Sequence, residues 1–92
     1  MRALYTPESI GDLQRLREFI EIKNPQAARR IAKSIIKGIS QLKTLPLPGA
    51  EVDKAPNPEM VRDLIIGNYI VRYLVGADIN ILRVWNHKEK RL

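Results

Sequence analysis

The stretch from residue 61 to residue 85, VRDLIIGNYIVRYLVGADINILRVW, decides the fold of this chain. It contains three runs rich in β-branched and aromatic residues, which favour strands. Gly67-Asn68 and Gly76-Ala77 separate the runs, and two-residue loops that begin with glycine are typical of tight hairpins. The stretch therefore predicts an antiparallel meander of three strands, at Val61–Ile66, Tyr69–Val75 and residues 78–85.

Two helices are predicted before the meander. Thr6-Pro7 and Asn24-Pro25 each join an N-cap residue to a proline at the first helical position, where the missing N–H costs nothing. Apolar residues then recur at helical spacing, which predicts one helix from Pro7 to Lys23 and a second that ends before Pro46. Helices joined so tightly must fold back on each other as a hairpin.

The remaining segments are short. Ala3–Tyr5 is a candidate strand for an edge of the sheet, and residues 46–59, which hold four of the six prolines, are predicted to form a loop. The whole chain, residues 1–92, is thus predicted to be one α+β domain of order β-α-α-β-β-β. Its helical hairpin should pack on one face of a small antiparallel sheet.

Strand alternation divides the meander into two faces. If both hairpins have two-residue loops, Asp63 lies opposite Arg72 as an ion pair, and Ile70 lies opposite Arg83. The more apolar face, which we expect to meet the helices, carries Arg62, Leu64, Ile66, Tyr69, Val71, Tyr73, Val75, Leu82 and Val84. The other face carries Val61, Asp63, Ile65, Ile70, Arg72, Leu74, Ile79, Ile81, Arg83, Trp85 and His87.

Composition excludes several kinds of chemistry. The chain has no cysteine and one histidine, so neither a disulfide framework nor a transition-metal site is indicated, and no glycine-rich phosphate loop is present. We predict no metal and no cofactor. No signal-peptide pattern and no apolar run of about 18 residues occurs, which favours a cytoplasmic protein without membrane association.

Charge indicates the kind of partner. The formal net charge of +6 favours an acidic partner, which could be nucleic acid or a protein segment. On the second helix, Arg29, Lys33 and Lys37 form a line at four-residue spacing with no acidic residue in the helix. This line is either a solvated face or a binding surface for an acidic partner.

The closing strand and the tail after it offer a second candidate surface. Arg83, Trp85 and His87 either form an exposed strand end, with Trp85 covering the rim of the core, or line a cationic groove for carboxylates or phosphates. His87 is the one side chain suited to acid–base work near neutral pH.

Four phrases of the sequence, in this order, resemble one known superfamily over nearly the whole chain. They are YTPESIGDLQRLREFI, NPQAARRIAKSIIKGISQLKTLPLPG, VRDLIIGNYIVRYLV and INILRVWNHKEKR. The chain resembles the ParE/RelE toxins of type II toxin–antitoxin systems, and its helical hairpin and LP-x-PG turn are most similar to the ParE-like, plasmid-stabilisation branch.

This resemblance implies a toxin that arrests bacterial growth and is neutralised, in a hetero-oligomer, by an acidic antitoxin. ParE-like members poison DNA gyrase, whereas RelE-like members cleave messenger RNA on the ribosome. A ribonuclease would use Arg62 and His87, but Leu64 and Ile70 occupy places where ribonuclease members often carry Lys and Arg. The resemblance therefore favours a non-enzymatic gyrase inhibitor, with a RelE-like ribonuclease as the alternative.

The predicted sites follow from both arguments. Antitoxin binding is assigned to Arg29, Lys33 and Lys37. Target binding is assigned to Arg62, Arg72, Arg83, Trp85, His87, Lys88, Lys90 and Arg91.

Overall fold

The predicted α+β architecture is confirmed in a computed structural model, which describes residues 1–57 and 59–88. Two helices lie between the first and second of five strands, and the sheet has the order β1-β5-β4-β3-β2. The elements are β1 (Ala3–Tyr5), α1 (Pro7–Lys23), α2 (Pro25–Leu42), β2 (Ala50–Glu51), β3 (Val61–Ile66), β4 (Tyr69–Val75) and β5 (Ile79–Asn86).

The helical hairpin begins and turns where the sequence predicts. The Thr6 hydroxyl accepts a hydrogen bond from the Ser9 backbone at 3.1 Å, and the Asn24 side chain accepts one from the Ala27 backbone at 3.0 Å. The Asn24 backbone N–H also donates to the Ile20 carbonyl at 2.8 Å, so one residue ends α1 and starts α2. These caps satisfy backbone groups that a helix end leaves unpaired.

The sheet is larger than predicted, and it is mixed. β1 pairs with β5 in parallel, with Ala3 opposite Ile79, and β2 adds a two-residue strand to β3 within the predicted loop. The prediction of an all-antiparallel sheet is wrong in this respect. Ala3–Tyr5 is a strand as predicted, but strands of two and three residues contain too few side chains for sequence alternation to show their direction.

The register is as predicted between β3 and β4 and different between β4 and β5. Asp63 pairs with Arg72 as expected. Val75, however, pairs with Ile79, and a β-bulge beside Arg72 and Tyr73 shifts the pairs beyond it. Ile70 therefore lies opposite Trp85, and the predicted Ile70–Arg83 pair is wrong.

The core lies between the helices and the face predicted to meet them. Leu16 of α1 and Ile35, Ile39 and Leu42 of α2 pack on the sheet residues Val71, Tyr73, Val75, Ile79, Ile81 and Val84. Ile79 and Ile81 were expected on the opposite face. They point into the core because the loop before β5 has three residues and not two. The bulge then adds one residue to β5, so Val84 also faces the core.

Leu82 changes face for the same reason, because the loop before β5 is one residue longer than predicted. It was expected to meet the helices, but it lies with Val61 and Arg72 along a groove on the opposite face. We call this face, which the helices do not cover, the open face of the sheet.

Candidate partner-binding surfaces

A buried carboxylate joins α1 to β5. Asp12 is 1% exposed and accepts hydrogen bonds from Arg83 Nε at 2.8 Å and Arg83 Nη2 at 2.9 Å. It also accepts from the Val84 backbone N–H at 2.9 Å and from Arg15 Nη2 at 3.0 Å. Burial alone would raise the pKa of Asp12, but the hydrogen bonds from Arg83, Val84 and Arg15 outweigh burial and lower this pKa to about 2.

Asp12 was not among the residues singled out from the sequence. Its signal was present, since Asp12 lies one turn before the buried Leu16 and one turn after the buried Ser9, on the face of α1 turned to the sheet. A charged side chain on such a face must find a partner. The sequence does not reveal that the partner is Arg83, which is 71 residues away.

A second ion pair crosses the open face. Arg72 donates from Nε to Asp63 at 2.8 Å and from Nη2 at 3.0 Å, as the predicted register requires. The Arg72 guanidinium lies 5.0 Å from the centre of the Trp85 ring, within range of a cation–π contact. Trp85 is 5% exposed and does not belong to the main core cluster, so it forms the base on which the Arg72–Asp63 pair rests.

Arg62 anchors the proline-rich loop. Its side chain is 15% exposed, and it donates to the Gly49 carbonyl at 2.9 Å and to the Glu59 carbonyl at 2.9 Å. The Gly49 N–H in turn donates to the buried hydroxyl of Tyr73 at 3.0 Å. The loop is therefore fixed to β3 and β4 through one arginine and one tyrosine.

Three of the four arginines assigned to target binding, Arg62, Arg72 and Arg83, thus bind their own chain. Arg72 and Arg83 lie directly opposite each other on β4 and β5, where like charges destabilise a sheet. Each is compensated by its own aspartate, Asp63 or Asp12. Arg83 keeps 41% of its side chain exposed and Arg72 keeps 28%, so both also face solvent.

His87 and Lys88 lie at the other end of the sheet from Arg62. Both are exposed, and the His87 ring Nδ1 lies 3.1 Å from the Asn68 carbonyl oxygen. Arg62 pairs with Tyr73 of β4. Asn86, which precedes His87, pairs with Tyr69, four residues before Tyr73 on the same strand. At about 3.4 Å per residue this separates the backbones of Arg62 and His87 by roughly 13 Å or more. Lys90 and Arg91, also assigned to target binding, lie outside the described residues.

The helical hairpin presents the basic line predicted from the sequence. Arg29, Lys33 and Lys37 are exposed and form no ion pair within residues 1–57 and 59–88. Beside them, an apolar groove of about 270 Å³ runs between the helices, and its walls include Leu13, Leu16, Ile20, Ala28, Ile31 and Ile35. Cations beside an exposed apolar groove suit an acidic amphipathic segment.

No group of three or more histidine, cysteine, aspartate or glutamate side chains that could hold a metal ion occurs in residues 1–57 and 59–88. Over the same residues, neither helix has the length and hydropathy needed to cross a membrane.

A solved structure has the same class of fold. The chain is similar to the structure described as "Chromosomal ParDE TA system from P. aeruginosa", with a TM-score of 0.76 and 22% sequence identity. The similarity covers 94% of this chain and 95% of that chain. A search of curated protein sequences found no match.

The sequence itself defines the family. Residues 3–91 match the family described as "ParE toxin of type II toxin-antitoxin system, parDE". The chain belongs to this ParE toxin family, as its resemblance to the ParE-like branch implied.

Proposed function

We propose that this chain is a toxin that arrests bacterial growth by binding and poisoning DNA gyrase in the cytoplasm, without itself acting as an enzyme. Membership of the ParE family supports a toxin of a type II system. The choice of gyrase over messenger RNA rests on the positions of the basic side chains.

The separation of Arg62 and His87 is the observation that carries this choice. Cleavage of a phosphodiester needs cations and proton-transfer groups gathered around one phosphate. Here the two candidates lie at different ends of the sheet, and the Arg62 guanidinium is occupied by the Gly49 and Glu59 carbonyls. Leu64, where ribonuclease relatives often carry a basic residue, packs against the core.

We further propose that an acidic antitoxin neutralises the toxin by binding the helical hairpin. The apolar groove between α1 and α2 would hold the antitoxin's apolar side chains, and Arg29, Lys33 and Lys37 would pair with its carboxylates. The result would be a toxin–antitoxin hetero-oligomer.

The test uses purified protein in two assays. We expect inhibition of gyrase supercoiling, reversed by the antitoxin, and no cleavage of messenger RNA on translating ribosomes. His87→Ala should inhibit gyrase as well as the natural sequence does, because no proton transfer is required. Lack of any effect on gyrase would contradict the proposal.

The alternative is a RelE-like ribosome-dependent ribonuclease. One observation favours it: His87 and Lys88 are both exposed at the end of β5, where substrate could reach them. A-site cleavage that disappears in His87→Ala or Arg62→Ala would establish this alternative, since loss of an acid–base group lowers turnover by about 10²- to 10⁴-fold.

A further inference from the structure

A groove of about 550 Å³ crosses the open face of the sheet beneath the loop after β2. Its walls are mostly apolar and include Val52, Ala55, Pro56, Val61 and Leu82. This volume lies within the range of sites that bind ligands or peptide segments. The groove lies on the opposite side of the sheet from the helical hairpin, so it is separate from the proposed antitoxin surface.

Arg72 lines this groove in a fixed orientation. Asp63 holds its Nε and Nη2 atoms, and the Trp85 ring supports its guanidinium plane. Arg72 Nη1 forms no hydrogen bond within residues 1–57 and 59–88, so this edge of the guanidinium can donate to a ligand. Because the side chain is already ordered, binding an anion there loses little conformational entropy.

The charges around the groove favour a protein partner over nucleic acid. Asp53 and Lys54 lie side by side in its wall, and Asp63 balances Arg72. Nucleic acid binds mainly through cations that neutralise successive phosphates, and the groove offers no surplus of cations. An apolar channel with one fixed arginine instead matches an aliphatic side chain next to a carboxylate.

We propose that this groove binds an extended segment of a partner protein in which a single carboxylate is flanked by aliphatic side chains. The aliphatic groups lie along Val61 and Leu82, and one carboxylate binds the open edge of Arg72. The inference rests on the proposed function in one respect, that the toxin acts on a protein target. It names the place where that target docks.

Trp85, the only tryptophan, makes the groove directly observable, because it lies under Arg72. Purified toxin would be titrated with an acetylated, amidated pentapeptide that has one central glutamate flanked by leucines, while tryptophan fluorescence is recorded. A leucine–glutamine peptide and a single-stranded oligothymidylate serve as comparison probes. We expect the glutamate peptide to give a saturable change in tryptophan fluorescence. The glutamine peptide should bind the toxin with about tenfold lower affinity, because charge-assisted hydrogen bonds are lost.

Two substitutions locate the binding. Ala55→Glu places a carboxylate in the groove wall and should abolish the fluorescence change. Ala77→Glu, with the same change of charge at the exposed β4–β5 turn, should leave the change intact. Arg72→Lys, which keeps the charge but loses the planar guanidinium, should weaken peptide binding and leave unfolding cooperative.

The remaining outcomes separate this inference from the gyrase proposal. The groove proposal would be wrong if the glutamate peptide gave no saturable change in tryptophan fluorescence, or if Ala55→Glu still bound the peptide. Either result would count against the groove even if the toxin inhibits gyrase. Binding of oligothymidylate that Ala55→Glu removes would also overturn it, in favour of a nucleic-acid site. Peptide binding as expected, without inhibition of gyrase, would support the groove proposal and contradict only the proposal that gyrase is the target.

Discussion

The buried carboxylate of Asp12 holds α1 against β5. Beyond the three residues of β1, the outer edge of β5 has no neighbouring strand within residues 1–57 and 59–88, and Asp12 accepts the Val84 N–H there in place of a strand carbonyl. The same carboxylate neutralises Arg83 opposite Arg72. One side chain thus attaches α1 to the sheet, satisfies an edge donor and removes a repulsion.

We therefore expect Asp12→Asn to destabilise the fold by about 2–4 kcal/mol near neutral pH, because it leaves Arg83 without its counter-charge. Urea unfolding followed by circular dichroism measures this cost. Glu21→Gln is the control, since both side chains of the Arg17–Glu21 pair are more than half exposed, and it should have little effect.

The stability difference should also depend on pH. The pKa of Asp12 is lowered from 3.8 to about 2 in the folded protein, so its contribution is fully present above pH 3.8 and is lost as the pH falls through 2. The natural sequence and Asp12→Asn should therefore converge in stability between about pH 4 and pH 2. A constant difference across that interval would mean that the Asp12 charge is not the cause.

Alanine substitutions at two glycines should have opposite effects on stability. A Cβ at Gly49 would lie 2.8 Å from the Tyr73 hydroxyl and 2.9 Å from the Asp63 carbonyl, and the latter belongs to backbone that cannot move aside easily. A Cβ at Gly11 would meet nothing within 4 Å. We expect Gly49→Ala to lower the melting temperature, and Gly11→Ala to raise stability by about 0.5–1 kcal/mol through helix propensity. Equal effects of the two substitutions would contradict the tight packing of Gly49.

At the level of elements, the features that the sequence predicted correctly are those that short-range sequence signals control. Both helices follow from N-cap and proline pairs, and the β3–β4 register follows from Gly67, whose φ of 59° suits a two-residue hairpin turn. The Asp63–Arg72 pair was predictable for that reason.

The β4–β5 register was not predictable in the same way. Gly76-Ala77 resembled a two-residue loop, but Asp78 also belongs to the turn, where it accepts hydrogen bonds from the Arg2 backbone and side chain. The bulge then compensates within the strand. Contacts between residues 76 positions apart decide this register, and local patterns do not report them.

The basic line on α2 should govern how fast the antitoxin associates. Arg29→Gln, Lys33→Gln and Lys37→Gln combined should lower the association rate constant and reduce its dependence on salt, because exposed charges steer encounters and are screened within about 10 Å at 0.1 M ionic strength. Stopped-flow mixing with the cognate antitoxin measures both quantities.

A charge-matched control separates this line from net charge. Lys23→Gln, Lys43→Gln and Lys54→Gln combined remove the same charge elsewhere and should leave most of the salt dependence. If both triple variants behave alike, only the overall charge of +6 steers association, and the assignment of the α2 line would be wrong.

At the scale of the whole molecule, the core separates two surfaces of different chemistry. The helical hairpin carries cations that form no ion pair with the described part of the chain, beside an apolar groove, whereas the open face carries neutralised arginines beside another groove. An antitoxin on the hairpin and a target on the open face would contact different sides of the sheet. Neutralisation would then require the antitoxin to reach around the edge or to hinder access by its bulk.

Growth arrest in bacteria is the measurement that depends on both surfaces, the one for the target and the one for the antitoxin. Expression of this chain alone should arrest growth, and co-expression of the antitoxin should restore it. Because the proposed mechanism needs binding and no proton transfer, His87→Ala should arrest growth as strongly as the natural sequence. Normal growth at high soluble expression would contradict the toxin assignment itself.

Arg83→Ala and Trp85→Ala, which we expect to weaken arrest, need a further comparison, since each also removes a structural contact with Asp12 or Arg72. Asp12→Asn supplies it, because it breaks the Arg83 ion pair while retaining the exposed guanidinium. If Arg83 contacts the target, Arg83→Ala should weaken arrest more than Asp12→Asn does at matched soluble expression. Equal loss in the two variants would show that Arg83 acts only by holding α1 on the sheet, and target binding would then depend on Arg72 and the groove beside it.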